Sequence, residues 1–265
     1  MLIRRDSFGI PHIEAGDDAD AWYALGFCQG QDRAFQLEGL LRVVRSTLAE
    51  IAGSDSLPVD RLSRRIGLRA SAEVQMSVLD GDVRSVLEAF ARGVTDGAVL
   101  GVRCKAHEFS LLRAAPTPYE AVDALAVVKL ISLVLASNWD VELARLKILQ
   151  GDGPEALKAL DPRYLDQHLV SSPPGARAGA AIDRLADDLR VFQEAAGKGG
   201  ASNNWAIAPS RTATGRPLLA NDPHLAPSLP PHWYLAHIRT PEWSVAVASF
   251  VGVPAFPVGH NDTGA

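Results

Sequence analysis

Gly199-Gly200-Ala201-Ser202-Asn203-Asn204-Trp205 marks the point where a helical, charged first part of the chain gives way to a strand-rich second part. Two glycines place a permissive backbone directly before a hydroxyl residue, so the Ala201-Ser202 peptide can bend until the hydroxyl reaches the preceding carbonyl. Attack by the Ser202 hydroxyl on the Ala201 carbonyl would give an ester. Water would then split that ester and leave Ser202 with a free α-amine beside its own nucleophile. An α-amine has a pKa of about 7.7 to 8.0, so a useful fraction is neutral near pH 7 and can take the hydroxyl proton. Read alone, the same tetrapeptide is more simply a loop entering a strand.

Downstream of Ser202 the pattern is β. Trp205 to Ala208, Pro217 to Ala220, Trp233 to Arg239 and Trp243 to Val251 are short apolar or alternating runs separated by turn residues. Thr240-Pro241-Glu242 would join the last two as a hairpin, with Pro241 outside the ladder. Adjacent antiparallel strands are expected. Upstream, Leu2 to Ile13 suits a strand, a turn and a second short strand. From Asp17 the apolar residues recur at three and four, which predicts one long helix running to a stop at Gly53. Arg33, Glu38, Arg42, Arg45 and Glu50 on it read as a solvated face with ion pairs. Helices are also predicted over Arg61 to Leu79, Asp82 to Val99, and Tyr119 to Gln150, the last with a break near Ser137-Asn138-Trp139-Asp140. Ser171-Ser172-Pro173-Pro174-Gly175-Ala176 has linker composition, and Ile182 to Ala196 has amphipathic helical spacing.

The run Ser202 to Trp205, with Asn221-Asp222-Pro223-His224-Leu225 and Gly259-His260-Asn261 behind it, resembles the start of the catalytic β-chain of the penicillin acylase family of N-terminal nucleophile amidohydrolases. Arg4-Arg5-Asp6 with Gly9-Ile10-Pro11-His12-Ile13, then Gln31-Asp32-Arg33 with Gln36-Leu37-Glu38, resembles the opening of that family's α-chain. The similarity covers nearly the whole chain. It implies an α+β fold of four αββα layers, present here only in part, with Ser202 opening a central strand. The implied division is an α-chain-like region over 1–170, a spacer ending at the cut over 171–201, and the start of the β-chain over 202–265.

The resemblance also assigns roles. Ala201 and Ser202 flank the cut, and Ser202 is the nucleophile. His224 matches a histidine that many members, particularly cephalosporin and lactone acylases, place beside the nucleophile, where it would assist proton transfer. Trp139, Leu225 and Val258 correspond to positions bordering the acyl pocket. Leu225 and Val258 are aliphatic where a phenylacetyl-selective site would often show aromatics, which tilts the expectation towards aliphatic acyl groups. Core roles for all three fit the residue types equally well. Asn203, Trp205, His260 and Asn261 read as structural support. Some members hold structural calcium with an α-chain glutamate, for which Glu142 is the candidate here; the amide chemistry itself requires no cofactor.

The expected activity is therefore autoprocessing followed by cleavage of an N-acyl amide, either a β-lactam side-chain amide or an N-acyl homoserine lactone. The rival reading is a noncatalytic fragment or binding module of the same fold. A family β-chain extends well beyond Ala265 and would carry the oxyanion donors, so the 265-residue chain by itself is expected to be inactive and to pair with the rest of its β-chain as an α/β heterodimer.

Composition sets the remaining bounds. At 265 residues, 47% hydrophobic and 22% charged, the chain has ordinary globular content. A net charge of -5 offers no basic excess for nucleic acid or anionic membrane. No stretch is long and apolar enough to span a bilayer, and Met1 leads into Leu2-Ile3-Arg4-Arg5 without a signal-peptide core, so the chain as written is expected in the cytoplasm although the family is often exported. Cys28 and Cys104 are the only cysteines and read as core fillers rather than a bridge or metal site. The histidines of the second part lack metal-ligand spacing.

Overall fold

The computed structural model describes residues 1–101, 105–135, 138–163, 176–197, 202–261 and 264. Strands β1 (Leu2–Arg5) and β2 (Pro11–Glu14) form the expected opening hairpin. Helix α1 (Asp18–Val44) follows, with the Asp17 carboxylate accepting from the Asp20 N–H as an N-cap. The helices α2 (Ala49–Ala52), α3 (Leu57–Ile66), α4 (Leu68–Ser77) and α5 (Gly81–Leu100) come next. They are followed by α6 (His107–Leu111), α7 (Ala121–Leu135), α8 (Trp139–Gly151), α9 (Gly153–Leu160) and α10 (Ala176–Ala196). The second part supplies β3 (Ser202–Ile207), β4 (Leu218–Pro223), β5 (Trp233–Arg239), β6 (Ser244–Phe250) and β7 (Val258–His260).

Two sheets result. A five-stranded sheet runs β1-β2-β5-β6-β7, and β3 with β4 makes a separate two-stranded ribbon. The β5–β6 hairpin is as expected, Leu235 facing Ala248 and Arg239 facing Ser244. All-antiparallel pairing is not: β2 and β5 run parallel, with His12 opposite His237. In this chain β3, which Ser202 opens, pairs with β4 among the described residues, and both strands are largely exposed. Alternation in the sequence identifies a strand but not its neighbour.

Three helix expectations are corrected. The long helix stops at Val44 instead of reaching Gly53, because Asp60 of α3 accepts from the N–H groups of Leu48 and Ala49 at 2.8 and 2.9 Å and so holds a turn there. The stretch from Arg61 to Leu79 divides at Gly67, which takes a left-handed φ of 73°. The charged face of α1 is not simply solvated: Glu38 is buried, binds Arg42 at 2.7 Å and accepts from the Thr117 N–H and hydroxyl at 2.8 Å each. Arg45 similarly reaches the fully buried Asp123 of α7 at 2.6 Å. Helices α7 and α8 are separate elements on either side of the expected break, whose Ser137 lies outside the described residues, and helix α6 is an element the sequence reading did not contain. The linker composition of 171–175 and the Gly199-Gly200-Ala201 approach lie outside the described residues, as does Cys104; Cys28 is buried.

One core lies between the inner face of the large sheet and α1 with α5, where Ile13, Leu25, Leu41, Phe90, Tyr234 and Ile238 meet. A second joins α3, α4, α7 and α10 around Leu62, Val127, Leu130, Leu189 and Phe192. Helix α10 is further fixed by Asp188, buried between Arg61 at 2.6 Å and Arg65 at 3.1 Å.

Helices α1 and α5 cross unusually closely. A Cβ added at Gly26 or Gly30 would fall on the carbonyl oxygen of Phe90 or Val94, and one at Gly93 or Gly97 on that of Tyr23 or Phe27. Backbone cannot yield as a side chain can, so Gly30→Ala should destabilise the protein by at least about 2 kcal/mol in urea unfolding. Gly39→Ala, on the same helix with open space around it, should be neutral or stabilising by up to about 1 kcal/mol. Equal effects of the two would show that the crossing is not glycine-dependent.

Candidate active site

Ser202 is the first residue of β3 and faces Pro223 across the ribbon, with Asn203 opposite Asp222 and Trp205 opposite Ala220. His224 therefore follows directly on the residue paired with Ser202. Its Nδ1–H donates to the Asp222 carbonyl at 2.8 Å, and its Nε2 lies 3.5 Å from the Asp222 carboxylate. Since a carbonyl can only accept, the neutral ring keeps its acceptor lone pair on Nε2. Trp205 is about half exposed on the outer ribbon. His260 ends β7 opposite Ala246, and the Asn261 side chain accepts from the Gly264 N–H at 2.6 Å, closing a local turn.

Two recesses adjoin this turn. An apolar cavity of about 240 Å³ is walled by α1, α3, α7, α10 and the end of β6, with Leu40, Leu130, Val134, Phe192 and Phe250 among its lining. Leu225 is part of that wall. A more polar cleft of about 850 Å³ lies over the outer row Leu235, Ala248 and Val258, which are register partners, and is closed by Arg5, Asp32 and Asn221 to Pro223. Two shared segments divide the recesses. Pro223 lines the cleft and Leu225 the cavity; Trp233 lines the cleft and stacks at 4.3 Å on Phe250, which lines the cavity.

The structure thus separates the three expected pocket residues. Leu225 belongs to the apolar cavity and Val258 to the polar cleft, while Trp139 lines neither and packs half-buried against the second core. Glu142 is held at 2.7 Å by the guanidinium of Arg145, so its carboxylate already faces a cation, and this surrounding does not fit a calcium ion.

Sequence reasoning missed a polar node at the rim of the cleft. Arg5 grips both carboxylate oxygens of Asp32 at 2.8 and 3.0 Å, the Gln31 side chain at 2.7 Å and the Gly9 carbonyl at 2.8 Å. The Tyr234 hydroxyl donates to Asp32 at 2.6 Å. Burial works against the Arg5 charge, and the adjoining Asp32 carboxylate more than offsets it, so its pKa is raised. Burial also holds the Tyr234 hydroxyl well above its ordinary pKa and pushes the nearby Cys28 thiol up to about 12. Arg5 and Asp32 stood in the motifs that carried the resemblance; what the sequence lacked was a reason to join them to Tyr234, some two hundred residues away.

The Penicillin amidase family model matches residues 1–265. Penicillin acylase 2 proenzyme of Pseudomonas sp. (strain SE83) is 36% identical over 281 residues, covering 98% of this chain and 35% of that protein. Acyl-homoserine lactone acylase QuiP of Pseudomonas aeruginosa is 33% identical, covering 98% and 32%. A thermostable penicillin G acylase from Alcaligenes faecalis superposes with a TM-score of 0.50 at 23% identity, over 66% of this chain and 95% of that one. That last likeness defines the fold class: a mixed α+β chain holding part of the N-terminal nucleophile hydrolase architecture. The chain belongs to the penicillin amidase family, and it spans about a third of the length of these two curated relatives.

Asp32 anchors both Arg5 and Tyr234, so Asp32→Asn should cost about 1–3 kcal/mol of unfolding free energy, the charge-assisted contacts being only partly buried. Tyr234→Phe, which leaves the Arg5–Asp32 pair in place, should cost about half as much. A larger loss for Tyr234→Phe than for Asp32→Asn would show that the ring and not the carboxylate holds the node.

Proposed function

We propose that this chain carries the nucleophile and the acyl-side pocket of an autoprocessing amidohydrolase that cleaves N-acyl compounds. The observation that carries the reading is that Pro223, the register partner of Ser202, lines the cleft while Leu225, two residues on, walls the apolar cavity. An amide spanning that boundary would have its acyl group in the apolar cavity and its amine side in the cleft.

In the first step the Ser202 hydroxyl adds to the Ala201 carbonyl and displaces the Ser202 nitrogen, which takes the proton and becomes the free α-amine; water then hydrolyses the resulting ester, releasing the Ala201 carboxylate and restoring the Ser202 hydroxyl. In turnover, the Ser202 oxygen attacks the substrate amide carbon while its proton passes to the α-amine and then to the departing nitrogen. Water cleaves the acyl-ester and regenerates the hydroxyl. His224, directly after the register partner of Ser202, orients the amine and hydroxyl. Residues 171–201, which include helix α10, act as the spacer; Phe192 and Ala196 of that helix wall the cavity, so loss of the spacer would enlarge the acyl pocket. The remainder of the β-chain is the partner. The lining is aliphatic apart from Gln36, Phe192, His232 and Phe250 and favours a medium-chain acyl group over phenylacetyl, a preference compatible with both the β-lactam side-chain and the acyl-homoserine lactone readings. The noncatalytic alternative draws on the His224 ring's local bond to Asp222, which a purely structural turn would also make.

Three variants, in protein produced at the full length of its relatives, separate cutting from turnover. Ser202→Ala should leave the chain uncut on gels and release no acyl product. Ser202→Cys should still cut, the thiol being a strong nucleophile, yet lose at least about a hundredfold in amide turnover because the larger sulfur displaces the reacting atoms. His224→Ala should lower turnover more than cutting. Cleavage before residue 202 together with acyl release by Ser202→Ala would remove Ser202 from the mechanism.

A further inference from the structure

A third recess, of about 590 Å³, adjoins the apolar cavity and is itself mostly apolar. Its lining includes Phe35 and Phe109, whose rings meet edge to face at 5.4 Å, together with Ala98 and Pro116; Lys105 and Glu108 bring charge to it. Gln36, Leu40 and His232 line both this recess and the apolar cavity, so they form the partition between the two.

The partition is weakly held. Gln36 Nε2 donates to the Pro231 carbonyl at 3.1 Å, which fixes the orientation of the amide because a carbonyl only accepts. Its Oε1 is left sealed from solvent, and among the described residues it is the one buried side-chain nitrogen or oxygen without a hydrogen-bond partner. A buried acceptor left unpaired disfavours the arrangement that buries it. Turning the Gln36 side chain into the recess would bring both ends of its amide to water, against the loss of the single bond to Pro231. Gln36 stands in a motif shared with the family, so this device does not separate β-lactam from lactone substrates; it acts on acyl length alone.

We propose that the third recess is a distal subsite for long linear acyl chains, reached by displacement of Gln36. A chain that ends within the apolar cavity leaves the partition shut, whereas a longer one passes it and lays its terminal methylenes against Phe35 and Phe109. The inference rests on the reading that the acyl group enters the apolar cavity, and it extends the accepted chains beyond the length that cavity alone would hold.

The test is calorimetric binding of octanoate and tetradecanoate, the carboxylates that hydrolysis of such amides would release, to protein produced at the full length of its relatives. No turnover is needed. Burial of the added methylenes should make tetradecanoate at least about a hundredfold tighter than octanoate, whereas a chain stopped at the partition would leave them in water and gain little. Gly39 lines the recess but not the cavity, and a Cβ there meets nothing within 4 Å, so Gly39→Leu fills the recess without a clash. It should weaken tetradecanoate at least about tenfold without weakening octanoate or lowering the melting temperature. Gln36→Ala, which removes the arm of the partition, should strengthen tetradecanoate relative to octanoate. Octanoate binding with no gain for tetradecanoate, or a gain that Gly39→Leu leaves intact, would overturn the inference while the cavity assignment stands. Weaker tetradecanoate binding in Gln36→Ala would likewise contradict the role of the partition. Failure of octanoate to bind would overturn the inference together with the cavity assignment.

Discussion

The contact at which α1 and α5 cross backbone to backbone governs the placement of nearly everything else. At Gly26 and Gly30 on one helix and Gly93 and Gly97 on the other an added Cβ would fall on the opposite backbone, so main-chain contact at these four positions sets the separation. Helix α1, a rod kinked at Arg33, then delivers residues to each functional region. Asp32 and Arg33 face the cleft, Leu40 and Val43 line the cavity, and the buried Gln29 donates to Ser249 and accepts from the Gly252 N–H at the end of β6. A shift of α1 would move both recesses and the β6 end at once.

Around that rod, buried carboxylates act as junctions between segments distant in sequence. Glu38 ties α1 to the loop at Thr117, Asp60 holds the turn after α1, Asp123 gathers Arg45 and Arg69, and Asp188 secures α10 to α3. Each is paired with arginine or with backbone N–H groups, as burial of a charge requires. Their value is geometric as much as energetic. Removing one partner would leave the other charge uncompensated, so these junctions resist rearrangement even where their net stabilisation is small.

Local patterns in the sequence were sufficient for what depends on neighbours along the chain. The opening hairpin and the β5–β6 hairpin were legible because turn residues and periodicity act over a few positions, whereas the motifs around Ser202, Asp222 and His260 were legible only through the family resemblance. What failed depended on residues brought together from afar. Periodicity ran through Val44 because Leu48 and Ile51 keep helical spacing, while the cause of the break is Asp60 on the next helix. Glu38 looked like a surface charge until Thr117 covered it. Parallel pairing of β2 with β5 follows from packing against α1, about which alternation is silent. Similarly, Leu225 and Val258 are comparable aliphatic residues in sequence, yet the Trp233–Phe250 stack assigns them to different recesses.

On the proposed reading, the boundary between those recesses is where chemistry occurs, and Ser202 stands across the ribbon from it only as an internal residue until its α-amine is released. The whole account therefore turns on whether that amine forms. Intact-mass measurement with N-terminal sequencing, on protein purified at the full length of its relatives, tests this most directly. The account predicts a fragment whose first residues are Ser202-Asn203-Asn204-Trp205, accompanied by an upstream fragment ending at or before Ala201. A single uncut chain, or a fragment beginning at any other residue, would contradict it.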